Sequence, residues 1–326
     1  MSVARHMIAL LKSHLEGNDQ EFLSVAMQAA AHEARLGHEN IARQLRDLVD
    51  EARRRTSAVQ TKSGQLIVLE PRGELANLLS VQTPQVRLAD MVLPQQLAER
   101  LKRVLVEQRQ QTKLREHGLI PRRKLLLIGP PGSGKTMTAS ALAGELHLPL
   151  FTIMLEGLMT KFMGETAAKL KLIFDAIRQT NGVYLFDEFD AIGARRNQSN
   201  DVGEIRRVLN SFLQFLEKDN SQGLIVAATN HPELLDRALF RRFDDVIEYA
   251  PPDANQAREI STRKLVMFDT DHVEWPLVLT EAEGLSHAEL ARVCEDAAKH
   301  AVLQGTKRIT SDALLSAIRE RKATSR

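Results

Sequence analysis

The chain has 326 residues, enough for two or three domains with cores of ordinary size, and its 44 Lys and Arg against 42 Asp and Glu give a formal net charge of +2. That balance gives no electrostatic reason to expect a nucleic-acid partner, although Arg53-Arg54-Arg55 and Arg122-Arg123-Lys124 form local basic clusters. The single cysteine, Cys294, excludes an intramolecular disulfide, no apolar run approaches the length of a membrane span, and the N-terminus lacks the continuous apolar segment of a signal peptide, so a soluble, cytoplasmic protein without a membrane partner is expected.

Residues 1–55 carry apolar positions at helical spacing in three sets: Ala4, Met7, Ile8, Leu11 and Leu15, then Phe22, Ala26, Ala29 and Ala30, then Ile41, Leu45, Leu48 and Ala52. With breaks at Gly17-Asn18-Asp19 and Gly37, they predict a small helical bundle. His32 and His38 are six residues apart, which puts them on different helix faces and argues for a surface pair rather than a metal site. Residues 56–85 mix Ser, Thr, Gly, Pro and charge and read as a linker with a short strand or docking segment.

From residue 86 to 250 apolar runs and helical stretches alternate. Leu125 to Ile128, Leu150 to Met154, Val183 to Phe186 and Leu224 to Ala227 are predicted strands with helices between them, the pattern of an α/β domain whose parallel sheet is covered on both faces. After Pro251-Pro252 the strands stop. Residues 251–326 give helices over "DANQAREISTRKLVMF", "SHAELARVCEDAAKHAVLQG" and "TSDALLSAIRERK", a small helical lid in which Cys294 packs with Leu290, Val293 and Ala297.

The stretch "LLLIGPPGSGKTMTAS" runs from a buried strand into Gly129, Gly134, Lys135 and Thr136, matching G-x-x-x-x-G-K-[ST]. Glycines let backbone N–H groups curl round phosphate oxygens, and the N-terminus of the following helix adds partial positive charge. Pro131, Gly132, Ser133, Gly134, Lys135, Thr136 and Met137 are therefore predicted nucleotide contacts, with Lys135 on the β- and γ-phosphates of ATP and Thr136 on Mg²⁺. A second magnesium anchor is expected at a neighbouring strand end. "VYLFDEFD" supplies it: four apolar residues bury the strand, Asp187 emerges to hold the Mg²⁺ shell, and Glu188 is placed to polarise an attacking water. Another buried strand ends at Thr229-Asn230, where Asn230 can align that water from the opposite side. Arg241 and Arg242, between a helix and the next strand, offer guanidinium donors to charge developing in phosphoryl transfer.

Taken together, GPPGSGKT, LFDEFDAI and ATNHPELLDRALFRRFD resemble the classical clade of AAA+ ATPases, which includes katanin, spastin and FtsH, from about residue 85 to the C-terminus. The resemblance implies a P-loop sheet with a helical lid, and a hexameric ring with nucleotide at subunit boundaries, where Arg241 and Arg242 reach the neighbour's γ-phosphate. It implies that Lys161, Phe162 and Met163, before Gly164, form a pore loop that grips an extended polypeptide; by itself the sequence favours Phe162 as a core residue. Arg87 to Leu93 resembles the adenine-contacting segment, which would place Asp90, Met91 and Val92 at the base, with Val92 in place of a customary glycine. "GLSHAEL" resembles the lid motif G-x-S-G-A-D-L, which would add His287 and Ala288 to the nucleotide contacts, His287 again replacing glycine. The lid helix has no arginine at its start, unlike replication initiators and helicase loaders. By the same resemblance the N-terminal bundle recruits substrates or adaptors, with oligomerisation as its alternative role.

The pattern is also similar to bacterial AAA ATPases encoded beside subtilisin-like peptidases, which implies such a peptidase as partner. The function expected is ATP-driven protein unfolding or remodelling. A DNA-directed motor or loader and a nucleotide-gated assembly switch are the alternatives; near-neutral charge and the aromatic pore loop favour polypeptide over nucleic acid.

Overall fold

The computed structural model describes Ala26 and residues 73–158, 163–192 and 202–324. The expected N-terminal bundle, Ala26 excepted, and the pore-loop residues Lys161 and Phe162 lie outside them. The chain divides into two units, Met1–Ile67 and Val68–Arg326; of the first, only Ala26 is described, helical and buried. No helix among the described residues is long and apolar enough to cross a membrane.

The described part of the second unit starts with a 3₁₀ turn at Gly73–Asn77 and strand β1 (Leu79–Gln82), within the segment read as a linker with a short strand. Helices α1 (Gln95–Arg109) and α2 (Gln111–Glu116) lead to β2 (Lys124–Ile128), α3 (Lys135–Leu146) and β3 (Leu150–Ile153). Then come α4 (Leu155–Leu158), α5 (Met163–Gln179), β4 (Val183–Phe186), α6 (Val202–Lys218), β5 (Leu224–Thr229), α7 (Arg237–Phe240) and β6 (Asp245–Glu248). Four helices close the chain: α8 (Ala254–Lys264), α9 (Trp275–Glu281), α10 (His287–Leu303) and α11 (Ser311–Thr324).

The six strands form one sheet in the order β1-β3-β4-β5-β2-β6, parallel except for β1, which runs antiparallel to β3 at the edge. Successive side chains of a strand point to opposite faces, so a sheet covered on both sides requires apolar residues at every position. On one face Leu126, Tyr184, Phe186, Ile225 and Ala227 pack with Phe174 of α5 and Phe212 and Leu216 of α6. On the other, Leu125, Leu127, Val183, Leu185, Val226 and Ala228 pack with Leu101 and Val104 of α1 and Leu142 of α3.

The continuous apolar runs of the central strands thus reflect two cores. The lid has a third, built around Trp275, Leu290, Val293, Cys294, Ala297, Leu314 and Ile318. Val92 packs against this third core, so its side chain has a partner that the usual glycine would leave without one.

Two local devices aim these elements at the site. A Cβ on Gly144 would stand 2.1 Å from the Val86 carbonyl oxygen, so only glycine lets the chain before Arg87 run against α3. The Arg87 guanidinium then donates to the Gly144 carbonyl and holds Leu88–Asp90 beside the phosphate-loop helix. At the lid, Asp253 and Gln256 cap the start of α8 reciprocally, the Gln256 N–H donating to Asp253 Oδ1 at 2.8 Å and the Asp253 N–H to Gln256 Oε1 at 3.0 Å. Helix α9, which begins Trp275-Pro276, has no counterpart among the expected lid helices: at 7 residues it makes two turns, too few for an apolar period to show.

Candidate nucleotide-binding site

In the parallel order β4-β5-β2, three neighbouring strands end side by side, Phe186 pairing with Ala227 and Ile128 with Thr229. The residue types that the sequence singles out follow these ends: the loop from Gly129, the acids Asp187 and Glu188, and Asn230. They open into a cleft of about 690 Å³. Asp90, Met91, Val92, Pro131 to Met137, Asp187, Glu188, Asn230, His287 and Ala288, all expected from sequence, line it together.

Lys135 is largely buried, and its Nζ donates to Asn230 Oδ1 at 2.8 Å and to the carbonyls of Gly129 at 2.8 Å and Pro130 at 2.9 Å. Burial pulls its pKa below the ordinary lysine value, and the Asp187 and Asp190 carboxylates partly offset that. The Thr136 hydroxyl donates to Asp187 Oδ2 at 2.7 Å, bringing together two oxygens from residues 51 positions apart. Glu188 takes the left-handed backbone conformation, φ 49°, and its N–H donates to Asp187 Oδ1 at 2.9 Å. Such a conformation in a residue other than glycine costs about 1–2 kcal/mol, and here it turns the chain sharply at the strand end so that both acids face the cleft.

Asp190, the third acid of "FDEFD", was not among the expected site residues. Its Oδ1 accepts from the Thr229 hydroxyl at 2.9 Å and from the Asn230 N–H at 3.3 Å, pinning the end of β5 from which Asn230 projects. The signal was present in the same motif, but only the pairing of strands shows what the carboxylate meets. Tyr249, following β6, is a second such residue. Its hydroxyl lies 2.6 Å from Thr138 Oγ1, which also donates to the Gly134 carbonyl at 3.0 Å; burial pushes the phenol's pKa up.

The lid closes the other wall. The Ala288 N–H donates to the Gly132 carbonyl at 3.0 Å, and Gly132, at φ 73°, lies so close to the lid that a Cβ would come within 2.6 Å of Ser286 Oγ. Arg263 donates to the Ala89 carbonyl at 2.7 Å, tying α8 to the segment at the base end of the cleft. Leu93, at the end of the Arg87 to Leu93 segment, lines the cleft as well; Ile260, Arg263, Lys264 and Ala291 also line it and escaped the sequence reading, because nothing local distinguishes a helix face turned toward a cleft from one turned toward a core.

Arg241 and Arg242 stand apart from this constellation. Both are exposed, Arg241 follows α7, and Arg242 pairs with Glu217; neither lines the cleft. Met163 begins α5.

The model of the family described as "ATPase family associated with various cellular activities (AAA)" matches residues 125–250. An uncharacterized AAA family ATPase, y4kL of Sinorhizobium fredii, is 34% identical over 307 residues, covering 93% of this chain and 90% of its own length. The chain belongs to the AAA ATPase family. It is accordingly an enzyme that hydrolyses ATP.

Among other relatives, the proteasome-activating nucleotidase of Sulfurisphaera tokodaii is 35% identical over 218 residues, 64% of this chain and 55% of that protein. The ATP-dependent zinc metalloprotease FtsH of Lancefieldella parvula is 37% identical over 215 residues, 63% of this chain but 33% of its own length. The chain thus spans about half, or less, of these two AAA ATPases. In three dimensions it is similar to the FIGL-1 AAA domain, with a TM-score of 0.60 at 23% identity over 74% of this chain and 85% of that one, a likeness of fold.

Proposed function

We propose that this AAA ATPase works as a hexameric ring that remodels polypeptide, each cleft completed by the adjacent subunit, in the service of a separate, subtilisin-like peptidase. The observation that carries the reading is where the cations lie. Around the phosphate loop the cleft gathers Lys135, Thr136, Asp187, Glu188 and Asn230, and its other lining cations, Arg263 and Lys264, come from the lid. Lys264 is paired with Glu295 at 3.1 Å, and Arg263 is engaged with Ala89 and Glu259. Charge developing on a transferred phosphoryl group is commonly met by an arginine, and Arg241 and Arg242 are exposed on the outside of their own subunit, which suits a reach into a neighbour's cleft, for Arg242 on exchanging its exposed pair with Glu217.

Within each cleft, Lys135 holds the β- and γ-phosphates, Glu188 accepts a proton from the attacking water, and Asn230, fixed through Lys135 and Asp190, orients that water. Thr136 and Asp187 fit magnesium: a hydroxyl and a carboxylate oxygen converge at 2.7 Å, a hard-oxygen pair of the kind that holds this ion beside substrate phosphates. Bound there, Mg²⁺ would neutralise phosphate charge. Lys161, Phe162 and Met163 are assigned the gripping of the polypeptide, and residues 1–55 the recruitment of substrate. The names of the nucleotidase and of FtsH join ATP to proteolysis, which favours a protein substrate and a peptidase partner over DNA.

The test mixes two inactive proteins, Lys135→Ala and the double variant Arg241→Ala, Arg242→Ala. Each supplies what the other lacks across a shared boundary, so part of the ATPase activity should return. A mixture as inactive as its components, with mixed oligomers demonstrated, would overturn the shared cleft.

A further inference from the structure

Thr138 and Tyr249 bury two hydroxyls beside an apolar core, in which Tyr249 packs with Ala139, Leu142, Ala143 and Ile247. Thr138 is 0% and Tyr249 3% exposed. A buried hydroxyl costs free energy unless it is hydrogen-bonded, and two apolar side chains of the same shape would pack about as well. What a bonded pair adds is a fixed direction.

That direction leads to the phosphate loop. Thr138 has one hydroxyl proton and gives it to the Gly134 carbonyl at 3.0 Å, so the phenol is the donor in the 2.6 Å contact between Tyr249 and Thr138. Burial pushes the phenol's pKa up, which keeps the donated proton in place at neutral pH. Gly134 ends the loop and caps α3 in the left-handed conformation, φ 98°. Its carbonyl also accepts from the Thr138 N–H at 2.8 Å.

At the other end of the loop the same tyrosine acts through its main chain. The Tyr249 N–H donates to the Ile128 carbonyl at 2.8 Å. A Cβ on Gly129, at φ 149°, would stand 2.5 Å from the Tyr249 carbonyl oxygen, so the first residue of the loop lies directly against this one. Between its ends the loop is less firmly backed: Pro130, Pro131 and Ser133 border a cavity of about 190 Å³ together with Pro251. Gly132, in the middle, is held from the lid by the Ala288 N–H at 3.0 Å. Tyr249 thus ties both ends of the loop to the end of β6.

We propose that Tyr249 is a positioning residue for ATP hydrolysis: its main chain fixes the start of the phosphate loop and its phenol, acting through Thr138, fixes the end. Neither hydroxyl lines the cleft, so both act on the reaction only through the loop, by keeping its amides aimed at the phosphates. The inference rests on the nucleotide reading of the cleft.

The experiment compares Tyr249→Phe, Thr138→Val, Thr138→Ser and the double variant Tyr249→Phe, Thr138→Val with wild type. It measures kcat at saturating Mg-ATP, urea unfolding, and the ³¹P resonance of the β-phosphate of bound ADP. A hydrogen bond of ordinary net strength predicts that kcat falls about three- to tenfold in Tyr249→Phe and in Thr138→Val, under conditions where urea unfolding shows both to be folded. The β-phosphate resonance should move in both. Thr138→Ser keeps the hydroxyl and should match wild type on both readings. The double variant should be no slower than Thr138→Val, which already lacks the phenol's acceptor. A wild-type kcat and an unmoved resonance in folded Tyr249→Phe would overturn the proposal. So would losses that multiply in the double variant, or a Thr138→Ser as slow as Thr138→Val. Should Thr138→Val fail to fold, Tyr249→Phe, which loses one oxygen atom, decides on the same two readings. If wild type binds no ADP, the nucleotide reading itself falls; if it binds ADP and Tyr249→Phe leaves both kcat and the resonance unchanged, only this inference does.

Discussion

Replacing Asp190 separates positioning by hydrogen bonds from positioning by charge. Its Oδ1 accepts from Thr229 Oγ1 at 2.9 Å and the Asn230 N–H at 3.3 Å, and Thr229 is fully buried. Asp190→Ala removes the acceptor and strands the Thr229 hydroxyl proton, a loss of about 1–3 kcal/mol in unfolding free energy. It also frees Asn230, which bonds Lys135 Nζ at 2.8 Å. A shift of about 1 Å in a group that orients the attacking water costs on the order of 100-fold in rate, so kcat should fall about 10- to 100-fold. Asp190→Asn keeps the Oδ1 acceptor, and its stability and kcat should stay near wild type. Urea unfolding and steady-state ATP hydrolysis read both quantities. If Asp190→Asn is as impaired as Asp190→Ala, the negative charge beside Lys135 matters and the hydrogen bonds do not; if Asp190→Ala turns over normally, Asn230 needs no such tether.

Glu188→Gln keeps the side chain's shape but loses the basic carboxylate, so it should bind ATP with near wild-type affinity in equilibrium titration while turnover falls at least about 100-fold, the scale of general-base catalysis. Phe162→Ala should leave basal ATP hydrolysis intact and abolish its stimulation by unfolded polypeptide; a protein destabilised by roughly 3–5 kcal/mol instead would return Phe162 to the core. For His287, burial lowers the folded-state pKa below the ordinary 6.5, so the unfolded chain binds more protons between those two values and stability rises with pH across that window. The contribution is complete above about pH 6.5 and is lost as pH falls toward the folded-state pKa, so nucleotide-free wild type should lose more stability than His287→Gln between about pH 7.5 and 5.5 in paired urea titrations.

Much of the sheet was legible because the central strands β2, β4 and β5 are buried on both faces, which writes itself as four or five consecutive apolar residues, and because the phosphate loop and the acids after β4 are contiguous motifs. Strand β1 and helix α9 were harder to read: a four-residue edge strand and a two-turn helix carry too few positions for a period. The lid lining was illegible for another reason. Ile260, Arg263 and Ala291 sit on helices whose apolar and charged residues look the same whether they face a core, a cleft or water.

By itself, then, the sequence determined which residues can do phosphate chemistry and the strand ends they follow. Its local patterns encode conformation and residue type. Tertiary structure alone decided that Thr136 meets Asp187 across 51 positions and Lys135 meets Asn230 across 95, since those meetings follow from the strand order β4-β5-β2. It alone placed Asp190 under Asn230, sealed both nitrogens of His287 without a partner, and left Arg241 and Arg242 outside their own cleft. Burial and pairing are properties of what the fold brings near, and no short stretch of chain contains them.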